Sequence, residues 1–509
     1  MYADSSYLLM CSLGNSLGRS VPRLLAQGII GLGEKIIAVV GNAIYDADIA
    51  LLGRAEKILW FGTPCLDPGK LGLQQRMEAM PSLESTDACA VCTLEDHHTE
   101  SDAFLSYSSH ALLEGIGIPL RRRPFTRFDF ADEWNNLGFG RIRTDHSIWA
   151  VTEGYCASNA TELCAMKVRT AGTVEDAGTY LSLFDTPRKS ILWCARPAGP
   201  VDSTEWTIIE RFIADWRADD LACLPCLCGT PAGCSAIVTM RLDCDEDISS
   251  ARDLVEWYLT EQVPFSFAVK TTLLTPEHFP ILREVTRSGG TLLTHTHTHS
   301  ANWGGSFEKA KAEAEISRQC FYEFLPDVPT PVLAVSPFHM NPPYAMQGAE
   351  AGGISGIVSG IIHNDPEYLL GRAGYAPFAE NLLTISQQSM LHGDCYAQQN
   401  QTVTAHVDGL DCQIAARGIW GYLDHPFSSR YQYGWESGSE RIKAHEKLIR
   451  AIRSRPNILF WSQSQCFQFL RNLMETPITV QNDKPLALKK EKHTEYRMEC
   501  RYRGQTHSL

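Results

Sequence analysis

Long apolar runs are missing from this 509-residue chain. A membrane-spanning helix needs about eighteen consecutive apolar positions, so no transmembrane segment is expected. Positive charge is also short: 45 Lys and Arg stand against 59 Asp and Glu, for a net charge of −14. No basic block offsets that balance, and a phosphate backbone needs a positive stripe, so nucleic acid is not an expected partner. The short run Arg121, Arg122, Arg123 reads as a solvated loop. The opening stretch MYADSSYLLMCSLGNSLG has an early acid, no basic region and only a short apolar run, so a secretory signal is not expected. Its loop GNSLG lacks both the lysine of a phosphate-binding loop and the GxGxxG of a dinucleotide site, and reads as a strand-to-helix turn.

Cysteine, by contrast, is plentiful, with 17 residues. Without a leader, that usage reads as reduced thiols, and a cytoplasmic location is the expectation. Cys89 and Cys92 form a lone CxxC within a strand-like run. Cys223, Cys226, Cys228 and Cys234 crowd a Pro/Gly-rich segment that could hold zinc. That group lacks a long spacer between two ligand pairs, so a loop with incidental thiols is expected instead.

Length suggests two to four domains. In residues 1–138, Tyr7 to Leu13, Lys35 to Val40, Lys57 to Phe61 and Ala88 to Leu94 read as buried strands, several followed by Gly or Pro. This rhythm predicts a small doubly wound α/β domain of Rossmann or flavodoxin type. Residues 139–234 form an intermediate α/β region and linker, with a strand at Ile191 to Ala195. Helical apolar spacing follows at Ile208, Ile209, Phe212, Ile213 and Trp216. From 235 to 475 the alternation becomes regular. Strands are expected at Ala236 to Leu242, Phe265 to Val269, Pro331 to Val335, Gly356 to Ser359, Ile419 to Leu423 and Ile458 to Trp461, with helices between several of them. Such repetition predicts a parallel sheet, open or closed into a barrel. Residues 476–509, rich in Lys and Glu, read as a mobile tail.

Two constellations carry chemistry. In RLDCDED, at the end of the first barrel strand, Asp243 and Asp245 alternate onto one side. Active sites collect at the carboxyl ends of parallel strands, and two adjacent carboxylates are relieved by a cation. In HTHTHS, His295, His297 and His299 follow another strand, and three alternating imidazoles are rarely core filling. One Asp with two His leaves positions open on a divalent metal, which acidifies water and polarises a carbonyl. A proton donor for a leaving group must come from elsewhere, and His425 in GYLDHPFSSRY ends a later strand.

These residues resemble the polysaccharide deacetylases of the NodB-homology type, carbohydrate esterase family four and its divergent exopolysaccharide deacetylase relatives. The resemblance covers about half the chain. It implies a (β/α)7 barrel, a divalent metal that is usually Zn2+, and removal of N-acetyl groups from an N-acetylhexosamine polysaccharide or glycan precursor. It further implies that Asp243 is the base, that Asp245, His295 and His299 hold the metal, and that His425 of Leu423-Asp424-His425 is the acid. In SPFHMNPPYAM, Pro343 and Tyr344 match the motif whose tyrosine amide stabilises the oxyanion. Asn341 stands where that motif has the arginine that orients the catalytic Asp. The family's Asp and Trp motif has no secure counterpart, and Trp303 and Trp420 are candidates for stacking on a sugar ring. Other readings on the same barrel are opening of cyclic amides, as in allantoinases, and sugar binding without turnover.

Overall fold

The computed structural model describes residues 37–40, 52–64, 66–76, 103–114, 123–124, 126–127, 140–141, 154–170, 172–195, 203–339, 341–359, 373–376, 379–386, 389–398, 400–476, 478–487 and 496–509. The expected strands at Tyr7 to Leu13 and Ala88 to Leu94, with Cys89 and Cys92, lie outside them. The chain divides into two compact units. One comprises Met1–Arg127, Arg141–Ala232 and Asn472–Leu509; the other comprises Phe128–Gly140 and Gly233–Arg471. No helix among the described residues is long and apolar enough to cross a membrane.

The first unit holds a mixed sheet. Its strands are β1 (Ile37–Val40), β2 (Lys57–Phe61), β3 (Ala103–Tyr107), β4 (Thr161–Thr170), β5 (Thr173–Thr186) and β6 (Lys189–Cys194), in the order β1-β2-β6-β5-β4-β3, with Arg123–Pro124 at the far edge. β1, β2 and β6 are parallel, as a doubly wound domain requires. β6, β5 and β4 form an antiparallel meander instead. The connections between β4, β5 and β6 are too short for a crossover helix, so those strands can only fold back as hairpins. The helix α1 (Ser203–Ala214) buries Ile208, Ile209, Phe212 and Ile213 in one core with Leu59, Trp60 and Trp193. Residues on both sides of the expected boundary at 138 therefore share this sheet.

Among the described residues, the segment expected as a mobile tail forms two hairpins. Ile478–Gln481 pairs with Lys484–Ala487, and Glu499–Tyr502 pairs with Gln505–Ser508. Each hairpin turns through two left-handed residues, Asn482 with Asp483 and Arg503 with Gly504. That is the geometry that matches strand twist in a two-residue turn. Cys226–Leu227 joins the second hairpin's edge, and Cys226 and Cys500 are buried there. Cys223 Sγ lies 3.2 Å from the buried ammonium of Lys57. Among the described residues these thiols make no metal cluster.

The second unit follows the βα rhythm closely. It contains β7 (Ala236–Cys244), α2 (Arg252–Thr260), β8 (Ser266–Val269), α3 (Phe279–Arg287), β9 (Thr291–Thr294), α4 (Phe307–Phe324), β10 (Leu333–Val335), α5 (Pro343–Ala351), β11 (Gly356–Ser359), β12 (Leu383–Ser386), β13 (Ser389–Met390), α6 (Thr404–Ala416), β14 (Ile419–Asp424), α7 (Gly438–Arg453) and β15 (Ile458–Trp461). The sheet order is β12-β11-β10-β9-β8-β7-β14-β13, all parallel, with Gly374–Tyr375 antiparallel on the β12 edge. β15 pairs with β7 over Ala236 to Thr239, and β8 pairs with it further along, over Arg241 to Cys244. β7 thus sits centrally, and all nine of its residues are buried. The sheet curls as a half-barrel, and among the described residues no ladder joins its two ends, so the expected seven-stranded closure is not seen. α3 caps its apolar face on the sheet through Ile281, Leu282 and Val285. Gly290 then lets the chain pass the carbonyl of Phe265, where a Cβ would approach to 2.2 Å. This arrangement brings the carboxyl ends of β7, β9 and β14 to one rim.

Candidate active site

The rim is built from strand ends. Asp243 is the penultimate residue of β7, inward-facing and almost wholly buried. Arg241 lies two residues earlier on the same face. Its Nε donates to Asp243 Oδ1 at 2.6 Å and its Nη2 to Oδ2 at 2.9 Å. Burial pushes the Asp243 carboxyl up, but the Arg241 guanidinium, with His295 and His425 nearby, prevails and holds it well below the usual carboxylate range. Asp245, one turn of the pleat beyond, is half-buried and accepts the Tyr433 hydroxyl at 3.0 Å. Burial raises its carboxyl, opposed by His299 and by that hydrogen bond.

β9 delivers the histidines. His295 Nδ1 lies 3.1 Å from the Val335 carbonyl and must donate to it, which leaves Nε2 as a lone pair. That nitrogen faces His299 Nε2 at 3.0 Å. Burial first, and the neighbouring imidazole second, push His299 down to about 3; burial also lowers His295. Both shifts favour the neutral rings. The loop reaches this pairing through left-handed residues, Thr296 at φ 62° and His299 at φ 62°, which is costly for side chains with a Cβ. Three hydrogen bonds to Glu313 on α4 hold it there, from the amides of His297 and Thr298 and from Thr298 Oγ1. Thr296 Oγ1 accepts the His299 amide. His297, the middle histidine, turns aside to Thr271 Oγ1 at 3.0 Å.

On the third strand end, His425 Nδ1 lies 2.6 Å from His392 Nε2, and its ring stacks on Tyr433 with centroids 4.3 Å apart. Burial, with His392 adding to it, drives the His425 ring well below its ordinary value. Asp424, just before it, is fully buried. It accepts Arg441 Nε at 2.6 Å, contacts His445 Nε2 at 3.0 Å and takes the Trp435 indole at 3.3 Å. Tyr258 extends this network, 2.8 Å from both His445 Nδ1 and the Tyr422 hydroxyl.

Tyr344 occupies the first turn of α5 behind Pro343, where an amide has no intrahelical acceptor. Its hydroxyl donates to the Asn302 carbonyl at 3.2 Å. Asn341 is fully buried and accepts from Ser336 Oγ. Trp303 and Trp420 are 0% exposed, so neither offers a face to a sugar. Phe338 is 46% exposed, and its ring centroid is 4.7 Å from that of His299.

The structure thus pairs His295 with His299, sets Asp245 within electrostatic reach of His299, and places Asp243 and His425 in each other's field. Among the described residues no trio is already spaced as a metal site. By donor chemistry two neutral imidazoles and a carboxylate suit a divalent transition metal. Sequence reasoning missed Arg241, His392, Tyr433 and Glu313. The only signal for Arg241 was its i, i+2 spacing to Asp243.

No family model matches the chain, and no curated protein is similar to it. Among solved structures, a Mycobacterium smegmatis protein described as a polysaccharide deacetylase matches at 15% identity, over 50% of this chain and 98% of that one, with a TM-score of 0.37. A family 4 acetyl xylan esterase from Clostridium thermocellum, in complex with a cobalt ion, matches at 12% identity, over 46% and 91%, with a TM-score of 0.32. Agd3, a novel carbohydrate deacetylase, matches at 9% identity over 97% of this chain and 89% of its own, with a TM-score of 0.34.

Proposed function

We propose that the second unit is a divalent-metal-dependent hydrolase that removes N-acetyl groups from N-acetylhexosamine units of a glycan or glycan precursor. The observation that carries this reading is the rim itself, where Asp243 paired to Arg241, the facing imidazoles of His295 and His299, and His425 come from three different strand ends. Asp245, His295 and His299 would hold the metal, and Zn2+ suits them. Bound there, it would supply Lewis acidity, polarising the acetamide and acidifying water.

The chain's own groups do the rest. Asp243, its carboxyl held low by the Arg241 guanidinium, takes a proton from water. The Tyr344 amide is the proposed donor to the tetrahedral oxyanion. His425, its Nδ1 held by His392, presents Nε2 to receive the proton that Asp243 takes from water and pass it to the leaving nitrogen. Water and the amide become acetate and an amine, which is cationic at neutral pH. Phe338, exposed beside His299, supplies an apolar face for a sugar ring.

The test is acetate release from N-acetylhexosamine oligomers and from nucleotide- or lipid-linked sugars. Protein stripped of metal and refilled with zinc is compared with Asp243→Asn. Zinc-dependent acetate that disappears in the variant supports the reading. Zinc binding without acetate from any sugar sinks it and turns attention to cyclic amides or to sugar binding alone.

A further inference from the structure

A histidine that donates and recovers a proton at Nε2 must be held by an acceptor at Nδ1, or its tautomer and ring angle drift. A carboxylate usually serves as that acceptor, yet the one beside His425 is committed elsewhere. Asp424 Oδ1 takes the His425 backbone amide at 2.8 Å and the Trp435 indole, while Oδ2 takes Arg441 and His445. What meets the His425 ring is His392, with Nε2 2.6 Å from Nδ1 and the two rings inclined at 62°.

The backbone around His392 is fixed more tightly than a surface loop would need. Leu391 N–H donates to the Leu423 carbonyl at 2.8 Å, and β13 runs parallel to β14 just before it. Gly393 N–H donates to the Tyr433 carbonyl at 2.9 Å. A Cβ on Gly393 would come within 2.2 Å of the Gly434 backbone, and one on Gly434 within 2.1 Å of the Asp394 amide, so only glycine permits this approach. Tyr433, held there, stacks on His425 and lies 5.5 Å from the His392 ring. His392 Nδ1 points toward the Asp394 carboxylate, 4.0 Å away.

We propose that His392 is the positioning residue of the general acid, accepting the Nδ1–H of His425 at its own Nε2 so that His425 Nε2 is turned to the leaving nitrogen. This rests on the deacetylase reading for the role of His425. The pairing itself rests on geometry alone. For Nε2 to accept, the His392 proton must sit on Nδ1, the nitrogen that faces Asp394. A neutral acceptor orients the acid but stabilises its cation less than a carboxylate would.

The experiment compares His392→Met and His392→Gln with the unaltered, zinc-loaded full chain. It measures kcat and KM for acetate release, zinc content, and the histidine tautomers by nitrogen NMR. Methionine fills the space but cannot accept in this way, whereas the glutamine amide oxygen can. The expected result is that methionine lowers kcat about tenfold or more, part of the roughly 10²–10⁴-fold that general acid–base catalysis contributes, with KM and zinc content unchanged. Glutamine should recover most of that loss, and His425 in the unaltered chain should carry its proton on Nδ1. An unchanged kcat in the methionine variant overturns the proposal, as does a glutamine variant no better than methionine. His425 protonated on Nε2 alone in the resting protein also overturns it, and that measurement stands even if the methionine variant fails to fold. If the unaltered chain releases no acetate, the deacetylase reading fails, and the tautomer then decides the pairing by itself.

Discussion

Arg241 and Asp243 form a two-pronged ion pair within one strand, Nε to Oδ1 at 2.6 Å and Nη2 to Oδ2 at 2.9 Å, with almost no exposure of either side chain. The resemblance to polysaccharide deacetylases places the orienting arginine at position 341, where this chain has asparagine. In this chain a guanidinium reaches Asp243 from its own strand, and Asn341 accepts from Ser336. Removing one partner of a buried pair strands the other charge, at a cost of about 3–5 kcal/mol. Arg241→Met is therefore expected to lose roughly that much stability in urea unfolding, along with activity. Arg241→Met combined with Asp243→Leu should recover the stability and stay inactive. A single variant as stable as the unaltered chain would show the pair to be dispensable for folding.

The residues legible in the sequence were those whose type and local spacing are unusual by themselves. Asp243 and Asp245 alternate at a strand end, His295 and His299 share a short polar run, and His425 closes the motif after β14. Most of the second unit's strands were legible because the apolar period changes cleanly along them, but β12, β13, α5 and α6 were not read. What stayed hidden is decided by contacts between distant positions: His392 on His425, Tyr433 on Asp245, Glu313 on the histidine loop. Trp303 and Trp420, candidates for stacking but of a type more often structural, are both core, because an aromatic beside a motif says nothing about which way it faces. The terminal hairpins carried a local signal in Asn482-Asp483 and Arg503-Gly504 that the charge-rich composition between and around them obscured.

Glu313 is the brace of the histidine loop, and its removal tests whether that loop is held or merely adjacent. Two amides and a threonine hydroxyl would lose their acceptor, and His299 would lose the support for its left-handed backbone. Glu313→Ala is expected to weaken zinc binding by about 10–100-fold, the size of effect found when partners of metal ligands are removed. Competition with a chromophoric chelator reads this directly. Unchanged affinity would mean that the loop keeps its shape without the carboxylate.

His406 gives the second unit an acid-sensitive element away from the rim. It is fully buried on α6 with Nδ1 2.6 Å from Ser389 Oγ, and burial, with His445 adding to it, pushes it down to about 3. An unfolded histidine titrates near 6.5, at about its ordinary value. Between those pH values the unfolded chain binds a proton that the folded chain does not. Stability is thus complete above about 6.5 and falls as pH drops toward 3, by up to ~1.4 kcal/mol per unit for this one group. His406→Gln should flatten the dependence of unfolding free energy on pH between 6 and 4.5, values chosen to fall inside that window, by about one proton. An identical slope in the variant would show that His406 is not carried neutral in the folded state.

The three histidines of HTHTHS are not equivalent in the fold, and metal loading should separate them. His295 and His299 face each other through Nε2, whereas His297 is bonded to Thr271 Oγ1 and lies outside the pair. A ligand that binds only the folded state stabilises it by about 2.7 kcal/mol at a hundredfold excess over its dissociation constant. Zinc should therefore raise the melting temperature of the unaltered chain and of His297→Ala alike. The same addition should do little for His299→Ala or Asp245→Ala, each of which removes one of the three proposed donors. A shift lost in His297→Ala and kept in His299→Ala would move the metal to the other side of the loop. That outcome would also remove the reason for the left-handed turn at His299.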